Sequence, residues 1–161
     1  MAECSLGKRL DVIVPRGSPA FISESFPART GSRPDTHPCL PHYQMTENPP
    51  KPIWDELVRR MFSAGTFPGT DGPLRSLVSL PDSQALFISP GHPAKNCFVG
   101  REFAHVHGVN DASLHVVLSE ADAATLISLG WCELHLLAGK DIGAGKTLAP
   151  GLVMVRSKSG R

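Results

Sequence analysis

Two short segments decide the fold of this chain: Phe103-Ala104-His105-Val106-His107 and, after a short loop, Ser113-Leu114-His115-Val116-Val117-Leu118. In both segments apolar residues alternate with polar ones, which is the pattern of a strand with one buried face. We predict strands over residues 97–107 and 113–118, joined as an antiparallel hairpin. The apolar members of the pattern share one face of this hairpin because all of them are even-numbered: Ala104, Val106, Leu114, Val116 and Leu118.

The odd-numbered positions place three histidines on the other face of the hairpin. Directly opposite residues in an antiparallel pair lie on the same face, so odd positions pair with odd positions. The simplest register sets His107 opposite Ser113 and His105 opposite His115, with Cβ atoms about 4.5–5.5 Å apart. Val117 breaks the alternation, which indicates that the histidine face is partly covered. We therefore expect His105, His107 and His115 to form one patch.

A fourth histidine, His135, follows Gly130-Trp131 in a segment predicted to be irregular, so four of the seven histidines fall in a short stretch. Imidazole suits proton transfer near neutral pH and also binds metals. The pattern His105-x-His107 with His115 matches the ligand count of a catalytic zinc or iron site. A solvent-facing strand, and for His135 a bond to local backbone, are the structural alternatives. Glu102 and Glu120 are candidate partners behind the metal ligands.

The remaining elements predict an α+β fold. An apolar stripe at helical spacing indicates a helix over 52–64, composed of Ile53, Trp54, Leu57, Val58, Met61 and Phe62. A hairpin is expected over 74–80 and 85–89, and a last strand over 152–156. Ser119 and Asp122 resemble a capping box, which predicts a helix that ends at Gly130. We expect an antiparallel sheet of about four to five strands with helices packed on one face.

Length and proline usage suggest three regions. More than half of the 15 prolines lie in residues 1–50, which we interpret as an extended arm, partly disordered. Residues 51–156 form the single α+β domain, and residues 157–161 form a basic tail.

Charge and hydropathy exclude several classes of protein. The net charge is +1 without a basic stripe, so nucleic acid is not expected as a partner. No apolar run is long enough to span a membrane. The first residues lack the apolar region of a secretory signal, which predicts a soluble cytoplasmic protein of undetermined oligomeric state. We accordingly expect free thiols at Cys4, Cys39, Cys97 and Cys132.

Three stretches resemble a known family. They are Arg101-Glu102-Phe103-Ala104-His105-Val106-His107, Leu114-His115-Val116-Val117-Leu118, and Gly130-Trp131 through His135 to Ala138-Gly139. A weaker match lies upstream, in Gly31-Ser32-Arg33-Pro34 and Pro41-His42-Tyr43-Gln44. In these residues the chain resembles the fungal luciferases and the wider set of luciferase-domain proteins.

The resemblance implies an oxidoreductase. Fungal luciferases oxidise a hydroxylated styryl-pyrone with molecular oxygen, without a known metal or added cofactor. By this resemblance the chain is a cofactor-independent oxygenase whose partners are O2 and a small-molecule substrate, an acidic enol or pyrone-like aromatic. The implied catalytic residues are His105, His107, His115 and His135, and Arg101 and Trp131 are implied to bind substrate. The alternatives are a metal-dependent enzyme that uses His105, His107 and His115, and a non-catalytic binding or interaction module.

Overall fold

The computed structural model describes residues 20–23, 25–63, 69–79, 81–92, 100–108, 111–143 and 145–157. Its two helices and six strands follow one another as α1 (Lys51–Met61), β1 (Thr70–Arg75), β2 (Gln84–Ile88), β3 (Glu102–Val106), β4 (Leu114–Val117), α2 (Glu120–Ser128), β5 (Cys132–Leu134) and β6 (Leu152–Val155). The strands form one antiparallel sheet in the order β1-β2-β3-β4-β6-β5. The predicted α+β class with an antiparallel sheet is confirmed.

The sheet has more strands than the four to five expected. The additional strand is β5, which lies in the segment predicted to be irregular and pairs with β6 at the sheet edge. Three residues are too few to show an alternating pattern. β1 also lies earlier than the predicted strand over 74–80. Pro73 argued against a strand at this point of the sequence, but β1 is an edge strand with a bulge between Asp71 and Leu74, where proline is tolerated.

Both helices pack on the face that the even-numbered residues of the central hairpin share. Trp54 and Met61 of α1 are buried against Ala104 and Val106. On the neighbouring part of this face, Ala123 of α2 is buried with Cys132 and Val153 in a second cluster. Ile53, predicted in the stripe of α1, is instead 57% exposed.

The N-cap of α2 is as predicted and also fixes the start of the described chain. Ser119 Oγ accepts a hydrogen bond from the Asp122 backbone N–H at 3.0 Å. Asp122 Oδ1 in turn accepts from the backbone N–H groups of Phe21 and Ile22, each at 2.8 Å. The cap therefore ties the chain near residue 21 to the helix side of the sheet.

Residues 20–50, here called the N-terminal segment, extend over the domain. Within the described residues of this segment, the only β-pairing is an isolated bridge between Thr36 and Gln44. Gln44 is 1% exposed, and its side chain donates to Ser157 Oγ at 2.7 Å and accepts from Ser157 N–H at 3.0 Å. Its backbone N–H donates to Ser113 Oγ at 2.9 Å. The division at residue 50, with a tail from 157, remains a prediction.

Among the cysteines that the structure describes, the prediction of free thiols is wrong for Cys39. Cys39 is disulfide-bonded, whereas Cys132 is a buried free thiol. Cys4 and Cys97 lie outside the described residues. The spacing of cysteines along a chain does not reveal which of them meet after folding. None of the helices in the described ranges has the length and apolar character needed to cross a membrane.

Candidate functional site: a histidine-lined cavity

A cavity of about 620 Å³ opens on the face of the sheet opposite the helices. This volume falls within the range of about 300–1,000 Å³ that is usual for small-molecule sites. Its described lining consists of five histidines and mainly apolar side chains: His42, His105, His107, His115, His135, Leu40, Pro41, Val78, Ser79, Leu137, Ile142 and Leu148. The cavity thus combines apolar walls with a concentrated set of imidazoles.

The predicted register of the central hairpin is confirmed. His105 lies opposite His115, and His107 N–H donates to Ser113 O at 2.9 Å. The three rings stack, with centroids 4.9–5.4 Å apart and planes that differ by 6–21°. They are almost completely buried, so the solvent-facing alternative is wrong.

Two further histidines approach the stacked three from segments that cover this face. His135 directly follows β5, and its ring centroid lies 5.1 Å from that of His115. His42 comes from the N-terminal segment, and its ring lies 5.9 Å from that of His115 and 5.1 Å from that of His135. Sequence reasoning did not select His42. The only signal was its place in the weaker stretch of the family resemblance.

Glu102 is the carboxylate partner of His105. His105 Nδ1 donates to Glu102 Oε1 at 2.9 Å, and Ser76 Oγ donates to the same oxygen at 2.8 Å. A β-bulge between Glu102 and Ala104 turns Glu102 toward the histidines despite its even number. Of the two predicted carboxylate partners, the structure places Glu102 beside a histidine, whereas Glu120 begins α2 and does not line the cavity.

Two other rings are held by carboxylates in the same way. His107 Nδ1 lies 3.0 Å from both oxygens of Asp111, and His42 Nε2 lies 2.7 Å from Glu133 Oε1. An ionised carboxylate only accepts hydrogen bonds, so the ring nitrogen beside it carries the proton. This chemistry leaves the lone pair on Nε2 of His105 and His107, and on Nδ1 of His42.

His135 has the opposite arrangement. Its Nδ1 accepts a hydrogen bond from the Leu137 backbone N–H at 3.1 Å. A neutral imidazole has one donor and one acceptor nitrogen, so the proton of His135 is on Nε2. The cavity lining therefore includes rings of both kinds, such as His42 with an acceptor nitrogen and His135 with a donor.

Burial keeps several of these rings neutral. It lowers the pKa of His105, lowers the pKa of His115 well below its ordinary value, and lowers the pKa of His135 to about 3. The Glu133 carboxyl behaves differently: burial raises its pKa, but hydrogen bonds from His42 and Arg156 outweigh burial and hold the pKa well below the usual range. The site thus contains neutral rings next to a firmly ionised carboxylate.

Two sets of three histidines have ligand atoms within 4.8 Å of one another, His105 with His107 and His115, and His42 with His115 and His135. A metal ion lies in the plane of each imidazole that binds it, so the stacked first set must rotate before its rings share one ion. In the second set the ring planes differ by 67–77°. Because His135 Nδ1 accepts from the Leu137 N–H, only Nε2 could bind a metal, and Nε2 carries the proton. Both sets must therefore rearrange before they can bind an ion.

The structure does not bring the two predicted substrate-binding residues into the cavity. Arg101 is on the surface, where its guanidinium bonds Ile88 O and lies 3.4 Å from Asp71 Oδ2. Trp131 packs on the α2 side of the sheet, and its Nε1 donates to Pro27 O at 2.7 Å. Neither side chain lines the cavity. Both residues are close in sequence to a cavity histidine, but closeness in sequence does not determine the face of the sheet on which a side chain lies.

Fold and site together define a class: an α+β protein whose antiparallel sheet carries a small-molecule-sized cavity lined by buried histidines. The family model described as luciferase domain matches residues 100–158. Residues 100–158 therefore match the luciferase domain, and the resemblance to this family that the sequence showed is confirmed for this part of the chain.

Two luciferases from mushrooms are similar to this chain. The Armillaria gallica luciferase is 30% identical over 128 residues, which cover 72% of this chain and 48% of the relative. The Armillaria mellea luciferase is 40% identical over 42 residues, or 26% of this chain and 16% of the relative. The chain thus spans about half the length of the first relative and less of the second. No solved structure gives a significant match.

Proposed function

We propose that the chain is a small luciferase-like oxygenase that binds an acidic enol or pyrone-like aromatic substrate in the histidine-lined cavity and oxidises it with O2. The observation that carries this proposal is the coexistence of apolar walls with neutral, orientated imidazoles in one cavity. Apolar walls suit an aromatic body, and imidazoles suit proton transfer to and from an enol.

The proposed chemistry begins with loss of the enol proton. The substrate O–H bond breaks, the proton moves to an imidazole nitrogen, and the electron pair stays on the substrate as an enolate. The enolate carbon then forms a bond to O2, and the second oxygen atom carries the negative charge as a peroxide anion. Hydrogen-bond donors that face the cavity stabilise both anions.

Oxygen consumption with a styryl-pyrone-like substrate tests this function. We expect His105→Ala and His115→Ala each to lower kcat/KM by at least about 100-fold, the usual effect of losing a proton-transfer group or its support. His92→Ala is the matched control because His92 is an exposed histidine that does not line the cavity. Undiminished turnover in both cavity variants contradicts the proposal.

A metal-dependent enzyme is the second candidate function. It is favoured by the carboxylates behind His105 and His107, an arrangement common around metal-binding histidines. Metal analysis of the purified protein, with oxygen consumption before and after chelation, separates this candidate from a cofactor-independent reaction. Stoichiometric metal whose removal abolishes turnover supports the metal-dependent enzyme.

Cytoplasmic location remains an expectation. The disulfide at Cys39 weighs against it, since thiols are usually kept reduced in the cytosol. Fluorescence imaging of the tagged protein in its native cells tests the location.

A further inference from the structure

We propose that His42 and His135 act as an acceptor–donor pair for the substrate oxygen, with His42 as the base and His135 as the donor that stabilises the anion. The substrate class rests on the proposed function, whereas the pair itself follows from the arrangement of the two side chains. No residue of the N-terminal segment was expected to take part in the chemistry.

His42 is fixed as an acceptor by the contacts of its ring. Nε2 donates to Glu133 Oε1 at 2.7 Å, and Glu133 Oε2 accepts from Arg156 at 2.8 Å. Nδ1 is buried and has no hydrogen-bond partner among the described residues, although His42 lines the cavity. A buried acceptor without a partner is costly, so an O–H group in the cavity that satisfies Nδ1 is favoured.

His135 is fixed as a donor by the backbone. Because Leu137 N–H occupies Nδ1, the Nε2–H of the neutral ring is the group that remains for a ligand. The same ring lines the cavity. A neutral imidazole donor stabilises an oxyanion and keeps its orientation throughout the reaction.

The two rings are close enough to act on one oxygen atom. Their centroids lie 5.1 Å apart, and their planes meet at 67°. In the proposed step the substrate O–H bond breaks and its proton moves to His42 Nδ1. The resulting imidazolium is stabilised by the adjacent Glu133 carboxylate. The electron pair stays on the substrate oxygen, which accepts the Nε2–H of His135.

Steady-state kinetics with imidazole rescue test the role of His42. We expect His42→Ala to lower kcat by about 10²–10⁴-fold, and exogenous imidazole to restore part of kcat because it replaces the missing base. His105→Ala is expected to show no imidazole rescue. His37→Ala is the matched control, since His37 lies on the same segment, stacks on Tyr43 and does not line the cavity. Rescue of His105→Ala but not of His42→Ala overturns the assignment.

The donor role of His135 has a test that requires no turnover. 4-Nitrophenol is the probe, because its phenol and phenolate forms differ in visible absorption. We expect the wild-type protein to bind it with an increased phenolate fraction at neutral pH. His42→Ala and His135→Phe should each reduce that fraction, and His135→Gln, which retains an N–H donor, should retain part of it.

The two experiments distinguish failure of the pair from failure of the proposed function. If the wild-type protein stabilises the phenolate through both His42 and His135 but consumes no oxygen, the pair is supported and the oxygenase is contradicted. If the protein consumes oxygen but the phenolate fraction is the same in all variants, the pair is contradicted and the oxygenase proposal is still supported. Absence of probe binding to the wild-type protein overturns the pair.

Discussion

At the scale of single residues, carboxylates determine which nitrogen of His42, His105 and His107 carries the proton. Glu133 is 5% exposed and accepts hydrogen bonds from His42 and from Arg156, which is also 5% exposed. Arg33 adds a longer contact at 3.3 Å. This ion pair connects the N-terminal segment to β5 and to the residue after β6, so it supports both stability and the site.

Glu133→Gln is expected to destabilise the protein by about 3–5 kcal/mol, because it removes a carboxylate that pairs with the buried Arg156 cation. Urea denaturation at neutral pH measures the loss. Glu56→Gln is the matched control, since Glu56 pairs with Arg59 and Arg60 at the surface and its loss should have little effect. Equal midpoints for the two variants contradict the prediction.

The same carboxylate makes stability depend on pH. Because the folded-state pKa of Glu133 is depressed, its contribution is complete above the unfolded-state pKa of about 4.3. The contribution is lost as the pH falls toward the folded-state value. We therefore expect the stability difference between wild type and Glu133→Gln to narrow in acid, and urea denaturation across acidic pH checks this. A difference that stays constant down to pH values well below 4.3 argues against the assignment.

Cys132 is expected to be inert in the folded protein. Its side chain is fully buried, and burial raises its pKa to about 12. Alkylation of Cys132 at mildly alkaline pH, followed by peptide mass spectrometry, should be at least about 100-fold slower than in urea. Similar rates in both conditions are inconsistent with the packing of β5.

At the scale of elements, β3 and β4 carry three histidines from the interior of the sheet. Each of these strands is paired on both sides, which makes the sheet rigid here. His105 and His115 lie within these strands, and His107 directly follows β3. β6 pairs with β4 and completes the frame. Just before β6, the backbone at Gly151 lies close to the backbone at Leu118. At Gly151 a Cβ atom would lie 2.1 Å from Leu118 O.

Gly151→Ala is expected to destabilise the protein by about 1–3 kcal/mol or more, because the added methyl group forces β6 away from the end of β4. Thermal unfolding measures the shift in midpoint. Lys140→Ala, at an exposed position in the loop before β6, serves as the control. An unchanged midpoint for Gly151→Ala means that the two backbones are farther apart than described.

At the scale of the whole molecule, the N-terminal segment completes the cavity. It contributes Leu40, Pro41 and His42 to the lining, and Gln44 anchors it through Ser113 and Ser157. The cavity is thus assembled from parts of the chain that lie more than 90 residues apart, such as His42 and His135.

Gln44→Ala is expected to loosen this segment, because it removes both side-chain hydrogen bonds to Ser157, a loss of about 1–3 kcal/mol. Limited trypsin digestion should then cleave after Arg29 faster than in the wild type. Gln84→Ala, an exposed glutamine in β2, is the matched control. Identical cleavage rates in the Gln44 variant and the wild type rule out the anchoring role.

The sequence by itself determined the α+β class, the register of His105 against His115 and the cap at Ser119, because each depends on patterns within a few residues. It missed β5, which is too short to show alternation, and it misplaced Arg101 and Trp131, whose side chains lie away from the cavity.

Only the tertiary structure decided that the histidine face is buried and that His42 joins it. It also decided which ring nitrogen carries the proton in His42, His105, His107 and His135. These features depend on contacts between distant segments, such as His42 with Glu133 and Gln44 with Ser157. Alternation along one strand specifies two faces of a sheet, but it does not specify which other part of the chain covers the second face.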